Sequence, residues 1–277
     1  MMITVWRSEI LRRVSLVLAA LATFPGHAGA TSLEPTGSWV VDYRADQCLA
    51  SREYGTTAKP VTFGIRPAPN GETYLLLLAQ KRAGPELGKE REGIVDFGAG
   101  PIKSWLLEHR DKPSGSDIYQ FRISAAEMDQ GKNASSVKLD PKDAPDVELQ
   151  LRSMPALIKS LEACTADLKR YWNMGGEKDG RIVTPPKGDI RTLFSSDDYP
   201  AEAFWRNQGG TSQFLLLIDE TGKVAGCDVV VASGIPTLDV MGCQVVRERA
   251  KFTPALDAKG KPVRSTYVTP PIVWKMR

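Results

Sequence analysis

The stretch GGTSQFLLLIDETGKVAGC, residues 209–227, decides the fold of the C-terminal part of this chain. An apolar run over residues 214–218 alternates between two faces, so both faces of the predicted strand carry large side chains. Residues 219–222 combine Asp, Thr and Gly, the composition of a tight hairpin turn. The stretch therefore predicts a strand over residues 211–218, a turn, and a returning strand over residues 224–232.

Helical patterns flank this hairpin. Acidic residues followed by Pro200 predict a short helix that ends near residue 207. After the hairpin, apolar residues at helical spacing predict a helix over residues 237–251, with Asp239 on its polar side or flank. A last strand follows over residues 264–274. The predicted order is helix, β-hairpin, helix and β-strand.

This part of the chain, roughly residues 190–277, resembles the C-terminal domain of TonB-family proteins, the periplasmic module that grips outer-membrane transporters. The residues that carry the resemblance are Tyr199-Pro200-Ala201, Gly210, Asp219-x-x-Gly222-Lys223-Val224, Ser233-Gly234, Leu238-Asp239, Lys251-Phe252-Thr253-Pro254-Ala255 and the proline-containing last strand. They occur in the order and at the spacing of the family.

The resemblance implies that a short extended peptide, the TonB box of a transporter, binds beside the last strand. Such β-augmentation uses the unpaired backbone groups of a sheet edge. The partner-binding residues expected on this basis are Ser265, Thr266, Tyr267, Val268 and Thr269. Pro270 and Pro271 cannot donate backbone hydrogen bonds. Two interpretations of them remain open: they confine pairing to either side, or they protect an exposed edge from aggregation.

The preceding part of the chain has a strand-like pattern with turns rich in Gly, Pro and Asn. Predicted strands lie near residues 38–43, 61–65, 73–78, 94–97, 102–107, 118–123 and 147–151. A mostly antiparallel sheet, a sandwich and an open barrel all fit this spacing. One amphipathic helix over residues 154–172 closes the unit. The predicted fold class is therefore α+β, with an N-terminal, mostly antiparallel β domain closed by one helix and a small C-terminal TonB-like domain. Four tryptophans are assigned to the core or to domain contacts: Trp39, Trp105, Trp172 and Trp205.

The length of 277 residues fits two domains. A stretch rich in Gly, Pro and charged residues predicts a linker over residues 176–195. The β-rich domain then covers residues 31–175 and the TonB-like domain residues 196–277. We refer to the two as the β-rich domain and the C-terminal domain.

Residues 1–30 have the pattern of a secretory signal peptide. A basic start with Arg7, Arg12 and Arg13 precedes an apolar run over residues 14–24, which is shorter than the roughly 20 residues that a membrane span needs. Ala28-Gly29-Ala30 fits a cleavage site. The predicted location is the periplasm; the alternative is the inner membrane, through an uncleaved N-terminal segment. With a β-rich domain where a transducer of this family has a proline-rich spacer, we expect an adaptor rather than a full energy transducer.

Four cysteines, an even number, fit the disulfide-permissive environment of an exported protein. No Cys-x-x-Cys pair is present, which argues against a redox motif or a zinc knuckle. Three pairings are possible. If each domain closes its own, the pairs are Cys48–Cys164 and Cys227–Cys243. The second pair requires the flank of the helix over residues 237–251 to approach the strand that carries Cys227, because Cys243 lies about 140° around the helix from Leu238.

No catalytic residue, metal site or cofactor is predicted. His109 is the only histidine after residue 30. The chain has neither a Gly-x-Ser-x-Gly elbow nor a phosphate-binding loop. A net charge of +3 is too small to indicate nucleic acid or an anionic membrane as a partner. The predicted function is binding of a protein or peptide partner. The alternatives are an exported enzyme or an envelope structural protein that uses the C-terminal domain as a docking module.

Overall fold

The computed structural model describes residues 32–81, 90–111, 114–142 and 145–276. The predicted signal peptide lies outside these residues. The chain is α+β, as predicted, with a large β-sheet in the first part and a smaller helix-covered sheet in the second. In the described part of the chain, no helix combines the length and the apolar character that crossing a membrane would require.

One ten-stranded sheet forms the β-rich domain. Its strands are β1 Ser32–Leu33, β2 Val40–Tyr43, β3 Cys48–Gly55, β4 Pro60–Pro67, β5 Thr73–Lys81, β6 Glu90–Asp96, β7 Pro101–Asp111, β8 Ser116–Ser124, β9 Ser136–Asp140 and β10 Val147–Gln150. They lie in the order β1-β10-β9-β6-β7-β8-β5-β4-β3-β2. All neighbours are antiparallel except β1 and β10. Of the three architectures left open by the sequence, the structure adopts a single sheet.

This sheet curls around its own core. Alternate residues of the strands point inward, as in β8, where Tyr119, Phe121 and Ile123 are buried and their neighbours are partly exposed. The hydroxyl of Tyr54 in β3 donates to the carbonyl oxygen of Gln150 in β10, at 3.1 Å. This bond joins strands from opposite regions of the sheet order, so the sheet is strongly curved.

Two helices accompany this sheet: α1 Ala125–Met128 and α2 Met154–Tyr171. The buried side of α2, including Leu157, Leu161 and Leu168, belongs to the same apolar cluster as the strands. Cys164 on this side forms a disulfide with Cys48 of β3, with 6.1 Å between the Cα atoms. The helix therefore closes the β-rich domain as predicted.

The C-terminal domain begins with a short 3-10 turn, Ser196–Asp198. Its further elements are α3 Ala201–Trp205, β11 Gly210–Ile218, β12 Val224–Val231, α4 Pro236–Arg249, β13 Ala255–Leu256, β14 Pro262–Val263, β15 Ser265–Val268 and β16 Ile272–Trp274. Strand β11 is central: β12 pairs with one side of it, and β15 and β16 pair with the other. Helix α4 covers one face and joins β12 through the disulfide Cys227–Cys243, with 5.7 Å between the Cα atoms.

The segment over residues 176–195 lies against the C-terminal elements. Thr184 pairs with Leu256, and Lys187 pairs with Thr253, in two antiparallel bridges. Ile190 is buried in the apolar cluster that β11 and α4 share. These contacts tie this segment to the C-terminal domain.

Several local expectations differ from the structure. Strands β3 and β9 and helix α1 were not predicted, and the single strand expected over residues 264–274 is two strands, interrupted at Pro270 and Pro271. The interruption follows from the missing N–H groups of the two prolines. Trp205 is 82 % exposed, so its assignment to the core or a domain contact is wrong.

Candidate functional site

The candidate site is the outer edge of β15. Strand β15 pairs with β11 from Leu215↔Val268 to Ile218↔Ser265, and no other strand of the described chain pairs with it. Unpaired backbone groups at a sheet edge form a template for another extended chain. The edge that the resemblance pointed to is thus open in the structure.

The orientation of each backbone group follows from Thr269, which comes directly after β15. Its N–H donates to the carbonyl oxygen of Phe214 at 2.9 Å, so it faces β11. In an antiparallel strand, alternate residues point their backbone groups to the same side. Tyr267 and Ser265 therefore also face β11, whereas Thr266 and Val268 face away from it.

The five predicted residues are consequently not equivalent. Thr269 is fully engaged within the domain, because its Oγ1 also accepts from the Phe214 N–H at 3.0 Å. Ser265 is buried, and the ring of Tyr267 packs on Phe252 with 5.0 Å between ring centroids. Among the five, only Thr266 and Val268 carry outward backbone groups. The side chain of Val268 is half exposed, on the opposite face from Tyr267.

A well-defined hairpin turn fixes β11 and hence the edge. The Asp219 carboxylate accepts from the N–H groups of Thr221 and Lys223, at 2.8 and 2.9 Å. Burial alone would raise the pKa of Asp219, but hydrogen bonds from the Thr221 hydroxyl and from these two N–H groups outweigh it and lower the pKa. Gly222 adopts a φ of 85°, and a Cβ there would lie 1.9 Å from the carbonyl oxygen of Phe252. Only glycine fits this position without displacing the chain.

Asp239 has a different place from the one expected. It is fully buried, and its carboxylate accepts from the Ser212 hydroxyl at 2.6 Å and from the Ser233 N–H at 3.0 Å. Burial raises its pKa. The residue connects the start of α4 to β11 and to the loop before the helix. Helical periodicity misplaced it because periodicity treats a carboxylate as a solvent-facing group, whereas here buried donors satisfy it.

The opposite edge of the small sheet meets the β-rich domain. Arg66 of β4 forms an ion pair with Asp228 of β12 at 2.8 Å, and the Arg122 guanidinium of β8 donates to the carbonyl oxygen of Val229. Burial lowers the pKa of Arg122. Leu217 of β11 lies in the main apolar cluster of the β-rich domain. The first domain therefore covers β12, the strand at the opposite edge from β15.

A cleft of about 610 Å³ lies between the domains, and clefts of this size are where catalytic or small-molecule sites usually occur. Its lining includes Arg66, Arg122, Asp228 and Asp239, whose contacts are the internal ones just described. The disulfide-bonded residues Cys227 and Cys243 also line the cleft. His109 is not among the lining residues; it contacts Gln120 at 3.4 Å. Arg66, Arg122 and Asp228 thus join the two domains, whereas Asp239 is bonded within the C-terminal domain.

Both disulfides that the sequence suggested are present, Cys48–Cys164 and Cys227–Cys243. The flank of α4 does approach β12, which resolves the geometric difficulty raised by Cys243. No group of three or more potential metal ligands occurs among the residues that the structure describes.

Comparison with known proteins identifies the second part of the chain. The family model described as Gram-negative bacterial TonB protein C-terminal matches residues 195–276. No curated protein matches the chain. The family is an interaction domain for protein partners rather than an enzyme, and its proteins are associated with the cell envelope. The resemblance seen in the sequence is confirmed: residues 195–276 form a TonB C-terminal domain.

Proposed function

We propose that this protein binds an extended segment of a partner protein, which adds as a strand to the outer edge of β15. The observation that supports the proposal is the unpaired outer side of β15, where Thr266 and Val268 direct their backbone groups away from β11. An open edge is a hazard for a soluble domain, and proteins ordinarily cover or blunt it. Retention of this edge beside a covered β12 fits a binding role.

We propose the TonB box of an outer-membrane transporter as the partner segment. This proposal rests on the family match over residues 195–276. The signal-peptide pattern of residues 1–30 supports export to the periplasm, where such a segment is accessible. The β-rich domain over residues 31–175, joined through residues 176–195 to the domain over residues 196–277, makes an adaptor our preferred interpretation.

A proline substitution tests the proposal at the edge itself. Val268→Pro removes an outward N–H without removing a hydrogen bond to β11, whereas the control Val268→Ala keeps that N–H. We expect Val268→Pro to weaken the binding of a TonB-box peptide about tenfold, because one backbone hydrogen bond is lost and the ring obstructs the incoming strand. Val268→Ala should change affinity less than about threefold.

Isothermal titration with a panel of transporter TonB-box peptides measures both effects, and thermal unfolding of each variant checks that the fold is intact. Equal affinity of wild type and Val268→Pro for every bound peptide would place the binding site elsewhere. If no TonB-box peptide binds, while a different envelope protein is captured through Val268 bearing a photo-crosslinker, the domain is a docking module for that protein.

A further inference from the structure

The open edge of β15 is short, and the two domains define its ends together. Moving along the chain, the backbone groups that face away from β11 belong to Arg264, Thr266, Val268 and Pro270. Pro270 has no N–H to offer. The Arg264 carbonyl oxygen is already occupied, because the side-chain amide of Asn173 donates to it at 2.9 Å.

Asn173 comes from the β-rich domain, two residues after the end of α2. Its φ of 48° places it in the left-handed region, which asparagine tolerates better than most residues. The two ends of its amide have different partners: Nδ2 donates to Arg264, and Oδ1 accepts from Arg181 at 3.0 Å. The amide therefore has a fixed orientation, with its donor directed at the edge strand.

Tyr171 reinforces this end of the edge. The guanidinium carbon of Arg264 lies 4.1 Å from the centroid of the Tyr171 ring, a cation–π contact. The same guanidinium bonds Glu220 at 3.0 Å. Arg264 is thus held from both its side chain and its carbonyl oxygen, and residues of the β-rich domain occupy the space that a longer added strand would need.

We propose that Asn173 and Tyr171 form a stop at one end of the docking edge, so that a partner strand pairs only beside Thr266 and Val268. This inference rests on the proposed function and adds the length and register of the segment that fits. Two residues with one donor and one acceptor each provide about four backbone hydrogen bonds. The site accepts a short extended segment, and Asn173 is a positioning residue that sets its register.

The consequence for specificity is direct. Without a stop, a strand could slide along an edge, and a shift of one residue would turn every side chain to the opposite face. With the Arg264 carbonyl oxygen occupied by Asn173 and Pro270 lacking an N–H, one register uses the donor and the acceptor of both Thr266 and Val268. The β-rich domain thereby contributes to recognition although it lies outside the family match.

Variants of Asn173 test the stop in the full-length mature chain. Asn173→Gly removes the side chain and keeps a backbone that tolerates positive φ; Asn173→Asp keeps the volume and the partner Arg181 but cannot donate to Arg264. Asn207→Gly is the matched control. Asn207 also has a positive φ, of 54°, but it lies before the start of β11, at the end of that strand away from Arg264. The probe is the shortest TonB-box peptide that binds wild type, used alone and with two alanines added at either end.

We expect the added alanines to leave the affinity for wild type and Asn207→Gly unchanged. For Asn173→Gly, which removes both the donor and the side chain, the peptide extended at one of its ends should bind about fivefold more tightly than the short peptide, since the freed Arg264 carbonyl accepts one more hydrogen bond. Asn173→Asp, whose side chain still fills the space, should bind both peptides equally, as wild type does. The short peptide should bind all four proteins equally.

Three outcomes overturn the inference. An extended peptide that already binds wild type more tightly shows that no stop exists, although binding at β15 stands. Equal affinities of short and extended peptides for Asn173→Gly show that Asn173 does not limit the edge. Failure of every peptide to bind wild type refutes the proposed function, and the stop with it.

Discussion

Removal of each disulfide should destabilise the protein by a different and calculable amount. The Cys48–Cys164 bond joins residues 116 positions apart, and the Cys227–Cys243 bond joins residues only 16 apart. In the chain-entropy model, closing the longer loop in the unfolded chain is worth about 5 kcal/mol and closing the shorter about 3 kcal/mol. We therefore expect Cys48→Ala with Cys164→Ala to cost about 2 kcal/mol more than Cys227→Ala with Cys243→Ala.

Packing acts in the same direction. Cys48 and Cys164 are buried, so their truncation also leaves space in the core, whereas Cys227 and Cys243 are partly exposed. The two loops do not overlap along the chain, so the effects of the two double variants should add. Wild type under reducing conditions should lose about 8 kcal/mol, a large fraction of the stability of an ordinary domain.

Urea unfolding at neutral pH, followed by far-ultraviolet circular dichroism, measures the free energy of unfolding of each variant. The slope with urea has to be compared as well, because a changed slope signals a changed unfolded state. An equal or larger loss from the Cys227 and Cys243 variant would refute the reasoning. Such a result would mean that native-state contacts around α4 and β12 outweigh the entropy of the open chain.

Two further predictions concern stability. Gly222→Ala should destabilise the protein by about 2–3 kcal/mol, because the left-handed backbone is strained and the Phe252 carbonyl is displaced. Gly260 has a φ of 74° but open space around it, so Gly260→Ala should cost about 1 kcal/mol. Equal losses in urea unfolding would contradict this account. Hydrogen bonds from Arg249 lower the pKa of Asp198 in spite of its burial, so its stabilising contribution is present above the ordinary carboxyl pKa of about 4 and is lost as the pH falls through the lower folded-state value. The stability difference between wild type and Asp198→Asn should therefore shrink between about pH 5 and about pH 2, and a constant difference across pH-dependent unfolding curves would show that this ion pair does not contribute.

The C-terminal domain was accessible from the sequence because its signals are local. The hairpin turn at Asp219–Gly222 and the helical spacing in α4 depend on nearby residues, and both appear where expected. Strand β3 was missed because its inward residues include Cys48 and Ala50, which are small and do not give a strong alternating pattern. Arg52 and Glu53, which follow in the same strand, further weaken the pattern.

The binding edge could be located from the sequence only approximately. The run Ser265–Thr269 was assigned as a unit, whereas backbone alternation divides it between residues that face β11 and residues that face away. The contact between Asn173 and Arg264 joins residues 91 positions apart, and no local sequence pattern predicts such a contact. Side-chain hydrogen bonds of this kind depend on how the two domains pack.

The burial of Leu217 has a practical consequence for any dissection of the molecule. This leucine of β11 belongs to the apolar cluster of the β-rich domain, although it lies within the family-matched residues. Cutting the chain between the domains would expose the Leu217 side chain to water. Its exposure alone would cost about 2 kcal/mol of stability and would leave an apolar patch that favours aggregation. A fragment that begins at residue 195 should therefore be less stable and more prone to aggregation than the whole chain, for reasons unrelated to its binding edge. The C-terminal domain needs the β-rich domain to cover this side of β11.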